Sequence, residues 1–188
     1  MSHPFFKNYG PLSVSEIIKY LNIKNDKLKS DQNITDIKDL FTANNSDITF
    51  FHSKKYKEIA KDTKASFCIT TETLKDDLPK NCKPLIVENV LVSVSNLTSK
   101  FYPESINDDF DETVISISET EFKDKVKFGK NVLVGNNVSF GSNCVIGHNS
   151  IIEKNVNIGN NCSIGSNTII RNTIIKENVR ILDGCVIG

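Results

Sequence analysis

The last third of the chain repeats every six residues, and few folds accept that period. From Phe128 the units begin Phe128-Gly129-Lys130-Asn131-Val132-Leu133, Val134-Gly135-Asn136-Asn137-Val138-Ser139 and Phe140-Gly141-Ser142-Asn143-Cys144-Val145. They continue from Ile146, Ile152, Ile158, Ile164 and Ile170, slip by one residue, and resume at Ile175, Ile181 and Ile187. One large aliphatic per six residues predicts a β-solenoid, with the lead residue pointing inward. The fifth residue of each unit (Val132, Val138, Cys144, Ser150, Val156, Cys162, Thr168, Ile174, Val179, Cys185) is mostly small or β-branched, as a flat pleated wall requires. Gly in the second place and Asn in the fourth are read as the corners, because both tolerate left-handed backbone. Three flats close one triangular coil, so the chain holds about three and a half coils.

Ahead of the repeat the pattern changes. Ser13-Val14-Ser15-Glu16 fits a capping box, and Val14, Ile17, Ile18 and Leu21 continue it as an amphipathic helix over 14–22. Residues 1–10 read as a loose lead-in, 23–35 as polar with short strands, and 36–41 as a turn or short helix. Asp47–Phe51, Ser66–Thr70 and Pro84–Val87 read as strands. Lys54–Ala60 and a stretch spaced on Val90, Val94, Leu97 and Phe101 read as helices, the second closed by Pro103. Alternating strands and helices predict a small α/β domain over 1–103. Residues 104–116, with Glu104, Asp108, Asp109, Asp111 and Glu112, read as an acidic linker. The solenoid then occupies 117–188, with Val114, Ile115 and Ile117 opening an irregular first turn that Phe122 and Val126 continue.

Composition narrows the function. Lys plus Arg and Asp plus Glu both number 23, so nothing argues for a nucleic-acid partner. No apolar run is long enough to span a membrane, and the N-terminus has no signal-peptide pattern. The five cysteines lack metal spacing. Cys144, Cys162 and Cys185 fall in the small-residue place of the repeat, which fits buried thiols in a reducing cytoplasm. No nucleophilic triad, phosphate-cradling Gly loop or metal cluster is visible. The glycines spaced by six belong to corners and are no dinucleotide fingerprint.

Two stretches together carry a resemblance. Asp47-Ile48-Thr49-Phe50-Phe51-His52-Ser53-Lys54-Lys55-Tyr56 is similar to a segment of the UDP-3-O-(3-hydroxyacyl)glucosamine N-acyltransferases of lipid A biosynthesis. The repeat array, ending Val179-Arg180-Ile181-Leu182-Asp183-Gly184-Cys185-Val186-Ile187-Gly188, is shared by many acyltransferases. The resemblance implies a left-handed parallel β-helix, a hand opposite to the usual right-handed crossover. It implies a cytoplasmic homotrimer that binds no cofactor of its own. The acyl donor would be the acyl-phosphopantetheine of acyl carrier protein, and the acceptor the 2-amino group of UDP-3-O-acylglucosamine. It places the uracil between Phe50 and Tyr56, where a flat base gains dispersion and area burial. The family's Asn in this segment, which the resemblance implies contacts the base, is Ser53 here, a third substrate-binding candidate that keeps a donor and an acceptor on a shorter side chain; the family's Pro is Lys54. The plain alternative for Phe50 and Tyr56 is two core aromatics.

The family's catalytic His lies in later coils, after an Asp-Gly-Phe-Gly segment expected beyond Gly188. The sequence therefore reads as a form truncated before its general base. Gly147-His148-Asn149 copies the frame of that catalytic stretch but in an early coil, where a solvated corner His is the preferred reading. His3 and His52 have no partner by spacing; for His52 a surface strand residue is the preferred reading, and a flank of the uridine site the alternative. Two other functions stay open: another hexapeptide acyltransferase acting on a nucleotide amino sugar, and a non-enzymatic β-solenoid binding module.

Overall fold

The computed structural model describes residues 3–23, 31–106 and 109–188; part of the 23–35 reading and part of the acidic stretch lie outside the described residues. Two compact units result, residues 1–107 and residues 108–188.

The first unit is built on a four-stranded sheet. Its strands β3 (Asp36–Ile37), β4 (Asp47–Phe51), β5 (Phe67–Thr70) and β6 (Lys83–Ile86) lie in chain order, each parallel to the next. Two shorter strands precede them, β1 (Leu12–Ser13) and β2 (Asn33–Ile34), paired antiparallel. Side chains alternate across the sheet as strand geometry demands. Ile48, Phe67, Ile69 and Leu85 pack with Val14 and Ile17 of helix α1 (Val14–Tyr20) and with Leu97 and Phe101 of helix α3 (Val90–Phe101). Phe51, Cys68 and Cys82 face the other way and pack with Ala60 of helix α2 (Lys57–Lys61).

The capping box is present: Ser13 Oγ accepts from the Glu16 N–H at 3.2 Å, and the Glu16 carboxylate accepts from the Ser13 N–H at 2.8 Å. Two readings of this unit change. Asp36–Ile37 is a strand, not a helix or turn, because its backbone completes the edge of β4. The turn follows it, where Asp39 Oδ1 accepts from the N–H groups of Phe41 and Thr42. Residues 3–10 are packed, not loose: the Tyr9 N–H donates to the Phe101 carbonyl at 2.8 Å, and the His3 ring stacks on Phe6 with centroids 5.0 Å apart.

The second unit is a parallel β-helix with three walls. In one wall Phe128, Ile146, Ile164 and Ile181 are in register; in the next, Val134, Ile152, Ile170 and Ile187; in the third, Phe140, Ile158 and Ile175. These lead residues form the core together with Val132, Val138, Cys144, Val156 and Cys162. All five cysteines of the chain are free. β7 (Ile115–Ser116) pairs antiparallel with Leu133–Val134, and Phe122 meets the Phe140 ring edge-on at 4.9 Å. The first turn is thus closed by irregular chain in place of another hexapeptide.

The corners divide their labour more sharply than the sequence reading assumed. Every fourth-place Asn from Asn131 to Asn167 has positive φ, between 56° and 64°, whereas the second-place glycines from Gly129 to Gly165 do not. Their hydrogen bonds run between coils: Asn131 Nδ2 donates to Asn149 Oδ1 at 3.0 Å, and Asn143 Nδ2 to Asn161 Oδ1 at 3.1 Å. The glycines are required by closeness instead. A Cβ on Gly147 would lie 2.4 Å from the Ser166 nitrogen of the next coil.

The short unit also shifts one assignment. Ile174 does not occupy the inward fifth place. It is 48% exposed and pairs with Asn157 on the outer face, while Asn172 takes the left-handed corner at φ 45°. The residue lost from that unit comes before Asn172, so Thr173 stands where the other units have their small fifth residue.

Asp111, read as part of a solvated linker, is only 6% exposed. Its Oδ1 accepts from the Thr113 N–H and hydroxyl, and its Oδ2 from the Lys154 N–H. Burial opposes the charged form, but these hydrogen bonds together outweigh it and hold the carboxyl below its ordinary range.

Candidate functional site

Strand β4 begins on a buried carboxylate. Asp47 Oδ1 accepts from the Thr35 hydroxyl at 3.0 Å, and its Oδ2 from Lys38 Nζ and the Asn44 N–H, each at 3.0 Å. A fully buried charge is tolerable only when paired and hydrogen-bonded in this way. Asp47 thereby anchors the strand whose far end carries Phe50, Phe51 and His52.

Phe51 is buried in the core, and Phe50 and His52, two residues apart, share the opposite side of the strand. After His52 the chain turns. Ser53 caps a 3-10 turn over Lys54–Tyr56: its hydroxyl accepts from the Lys55 N–H at 3.4 Å, and its carbonyl from the Tyr56 N–H at 3.0 Å. The turn returns Tyr56 toward the strand end. The His52 ring centroid lies 6.3 Å from Phe50 at an interplanar angle of 27°, and 5.3 Å from Tyr56 at 48°.

Both aromatic candidates are reachable. Phe50 is half-buried and lines a cavity of about 470 Å³ with Ile37, Lys38, Val94 and Tyr102. Tyr56 is 36% exposed. In the lining of this cavity the Tyr102 hydroxyl donates to Asp36 at 2.7 Å; burial first, then this bond, pushes the phenol up to about 12. Ser53 is half-buried beside the rings, with its hydroxyl turned to the backbone of its own turn. Sequence reasoning preferred a surface strand residue at His52 over a flank of the uridine site. The period-2 alternation of β4 could have flagged it, since it places residues 50 and 52 on one side.

His148 stands apart in the solenoid. Its Nδ1 accepts from the Lys130 N–H of the preceding coil at 2.8 Å, which leaves the ring hydrogen on Nε2. The same place is used alike elsewhere: Asn160 Oδ1 accepts from the Ser142 N–H, and Asp183 Oδ1 from the Ser166 N–H. The corner histidine is therefore one of a series of side chains that tie coil to coil. Among the described residues no His, Cys, Asp and Glu group could hold a metal ion.

Residues 31–99 match the sequence profile of the family described as UDP-3-O-(3-hydroxymyristoyl) glucosamine N-acyltransferase, LpxD. The chain resembles these N-acyltransferases. Residues 141–172 match the profile of the bacterial transferase hexapeptide, six repeats. Among curated proteins, the UDP-3-O-acylglucosamine N-acyltransferase of Rickettsia prowazekii is 35% identical over 104 residues, 54% of this chain and 30% of the relative. That of Rickettsia typhi is 36% identical over 104 residues, and that of Rickettsia canadensis 35% over 103, with the same coverage. The match thus spans about 30% of the length of these relatives. The profile match contains β4 and the turn after it, and so the rings of Phe50 and Tyr56.

Proposed function

We propose that the chain carries the nucleotide-sugar-binding domain and first coils of an N-acyltransferase acting on UDP-3-O-acylglucosamine in lipid A biosynthesis. The observation that supports it most is the pair of accessible rings, Phe50 and Tyr56, at the end of a strand inside the family match. In the reaction the donor's thioester C–S bond breaks and an amide C–N bond forms. The attacking amine gives up a proton, and a neutral imidazole suits that base role. His148 does not fit it, because Nδ1 is engaged with the backbone of the neighbouring coil. The base would come from outside residues 1–188, and the donor would be the acyl-phosphopantetheine of acyl carrier protein.

A homotrimer in the cytoplasm completes the reading. Its support is one outer wall of the solenoid, where Leu133, Ile151, Ile169 and Val186 stand in register with no charged residue between them. The matching columns of the other walls contain Lys127, Ser163 and Arg180, or Ser139 and Asn157. A continuous aliphatic column on a surface is a site for association. No helix among the described residues is long and apolar enough to cross a membrane.

The test is equilibrium binding of UDP-N-acetylglucosamine to the 188-residue chain. Phe50→Ala and Tyr56→Ala are each expected to weaken binding about tenfold or more, the order found for base–aromatic stacking. Unchanged affinity in both variants removes the uridine site.

A further inference from the structure

We infer that His52 supplies the polar contact to the nucleobase held by Phe50 and Tyr56, a role that the position of Ser53 would otherwise suggest for Ser53. The inference rests on the nucleotide-binding reading above and adds a residue to it.

Two observations carry it. First, the His52 imidazole neighbours both aromatic rings, 6.3 Å from Phe50 and 5.3 Å from Tyr56, so a base seated on the side of those rings that faces it meets it. Second, Ser53 Oγ accepts from the Lys55 N–H and caps the turn that brings Tyr56 back. Turning that hydroxyl to a ligand would uncap the turn.

The chemistry matches a pyrimidine edge. A neutral imidazole offers one N–H donor and one nitrogen acceptor. A uracil offers carbonyl oxygens and an N–H. His52 is exposed, and among the described residues no hydrogen bond commits either ring nitrogen, so both are open to a ligand. The row Phe50–His52–Tyr56 therefore provides two apolar faces and one reading edge.

The experiment measures UDP binding to the chain and to the His52→Ala and His52→Gln variants, with histidine C2–H signals followed by NMR. Expected are a loss of about tenfold or more in His52→Ala, and a smaller loss in His52→Gln, whose amide keeps a donor and an acceptor. UDP should also shift one imidazole signal that is missing from the His52→Gln spectrum. The shift itself is read in the unaltered protein. The proposal is overturned if the His52 signal stays still while tyrosine signals move, or if His52→Ala binds UDP as tightly as the unaltered chain. Phe50→Ala and Tyr56→Ala separate the two levels. If they weaken binding and His52→Ala does not, only the role of His52 fails. If no variant changes affinity, or the chain does not bind UDP, the nucleotide site fails and His52 with it.

Discussion

Asp111 Oδ2 accepts from the backbone N–H of Lys154 at 2.6 Å, joining residues 43 positions apart. The bond ties the irregular start of the second unit to a corner one coil further on. The same oxygen lies 2.3 Å from where a Cβ on Gly135 would be. Asp111→Ala leaves the Lys154 N–H without its acceptor and is expected to cost about 1–3 kcal/mol, read from chemical denaturation.

That contribution depends on pH. The folded-state pKa of Asp111 lies below its unfolded value, so the unfolded chain binds the proton first as pH falls. The stabilisation is whole above the unfolded carboxylate value of about 3.9 and disappears as pH drops through the folded one. Melting curves of the wild type and Asp111→Ala should differ most near neutrality and converge in acid. A gap that widens below pH 4 would refute this assignment.

Gly147→Ala tests close approach without any change of backbone region. Its Cβ would meet the Ser166 nitrogen and the Gly165 carbonyl carbon at 2.4 and 2.6 Å, backbone atoms that cannot swing aside. Destabilisation of about 1–3 kcal/mol is expected, as for overpacking elsewhere. Wild-type stability would show that neighbouring coils separate easily.

Asn149 tests the other corner requirement. It combines φ of 56° with bonds to Asn131 and Asn167. Asn149→Ala keeps a Cβ in left-handed backbone, a cost of about 1–2 kcal/mol, without the short polar side chain that offsets it, whereas Asn149→Gly loses only the ladder. Urea midpoints should therefore rank wild type, Gly, Ala. Gly184, at φ 75°, shows the chain using that substitute in its own later corner.

The frame slip predicts unlike results at adjacent isoleucines. Ile175 is 6% exposed and stacks on Ile158, while Ile174 is 48% exposed. Ile175→Ala should cost about 2–5 kcal/mol by opening the core, and Ile174→Ala within about 0.5. The reverse order in denaturation would place the lost residue elsewhere in the unit.

Much of this was legible because it is local or periodic. The capping box at Ser13 and Glu16 needs only four residues, and α3 shows its face through Val90, Val94, Leu97 and Phe101. The two-residue strands Leu12–Ser13, Asn33–Ile34 and Asp36–Ile37 are too short to have a period, so only their partners reveal them. Asp111 looked solvated because its neighbours are acidic; its real neighbour is a distant N–H. For His52 the surface reading was preferred because the turn at Ser53, not the strand, brings Tyr56 to its ring.

The amino-acid order alone determined the six-residue coil, its aliphatic core and the Asn corners, since each unit repeats its own short-range physics. It also determined the alternation of strands and helices ahead of the coil. Tertiary structure decided which residues touch across coils: why glycine stands beside the next backbone, where the missing residue falls before Asn172, and which rings meet at the end of β4. Those answers depend on atoms far apart in the chain, and contacts of that kind leave no periodic trace in it.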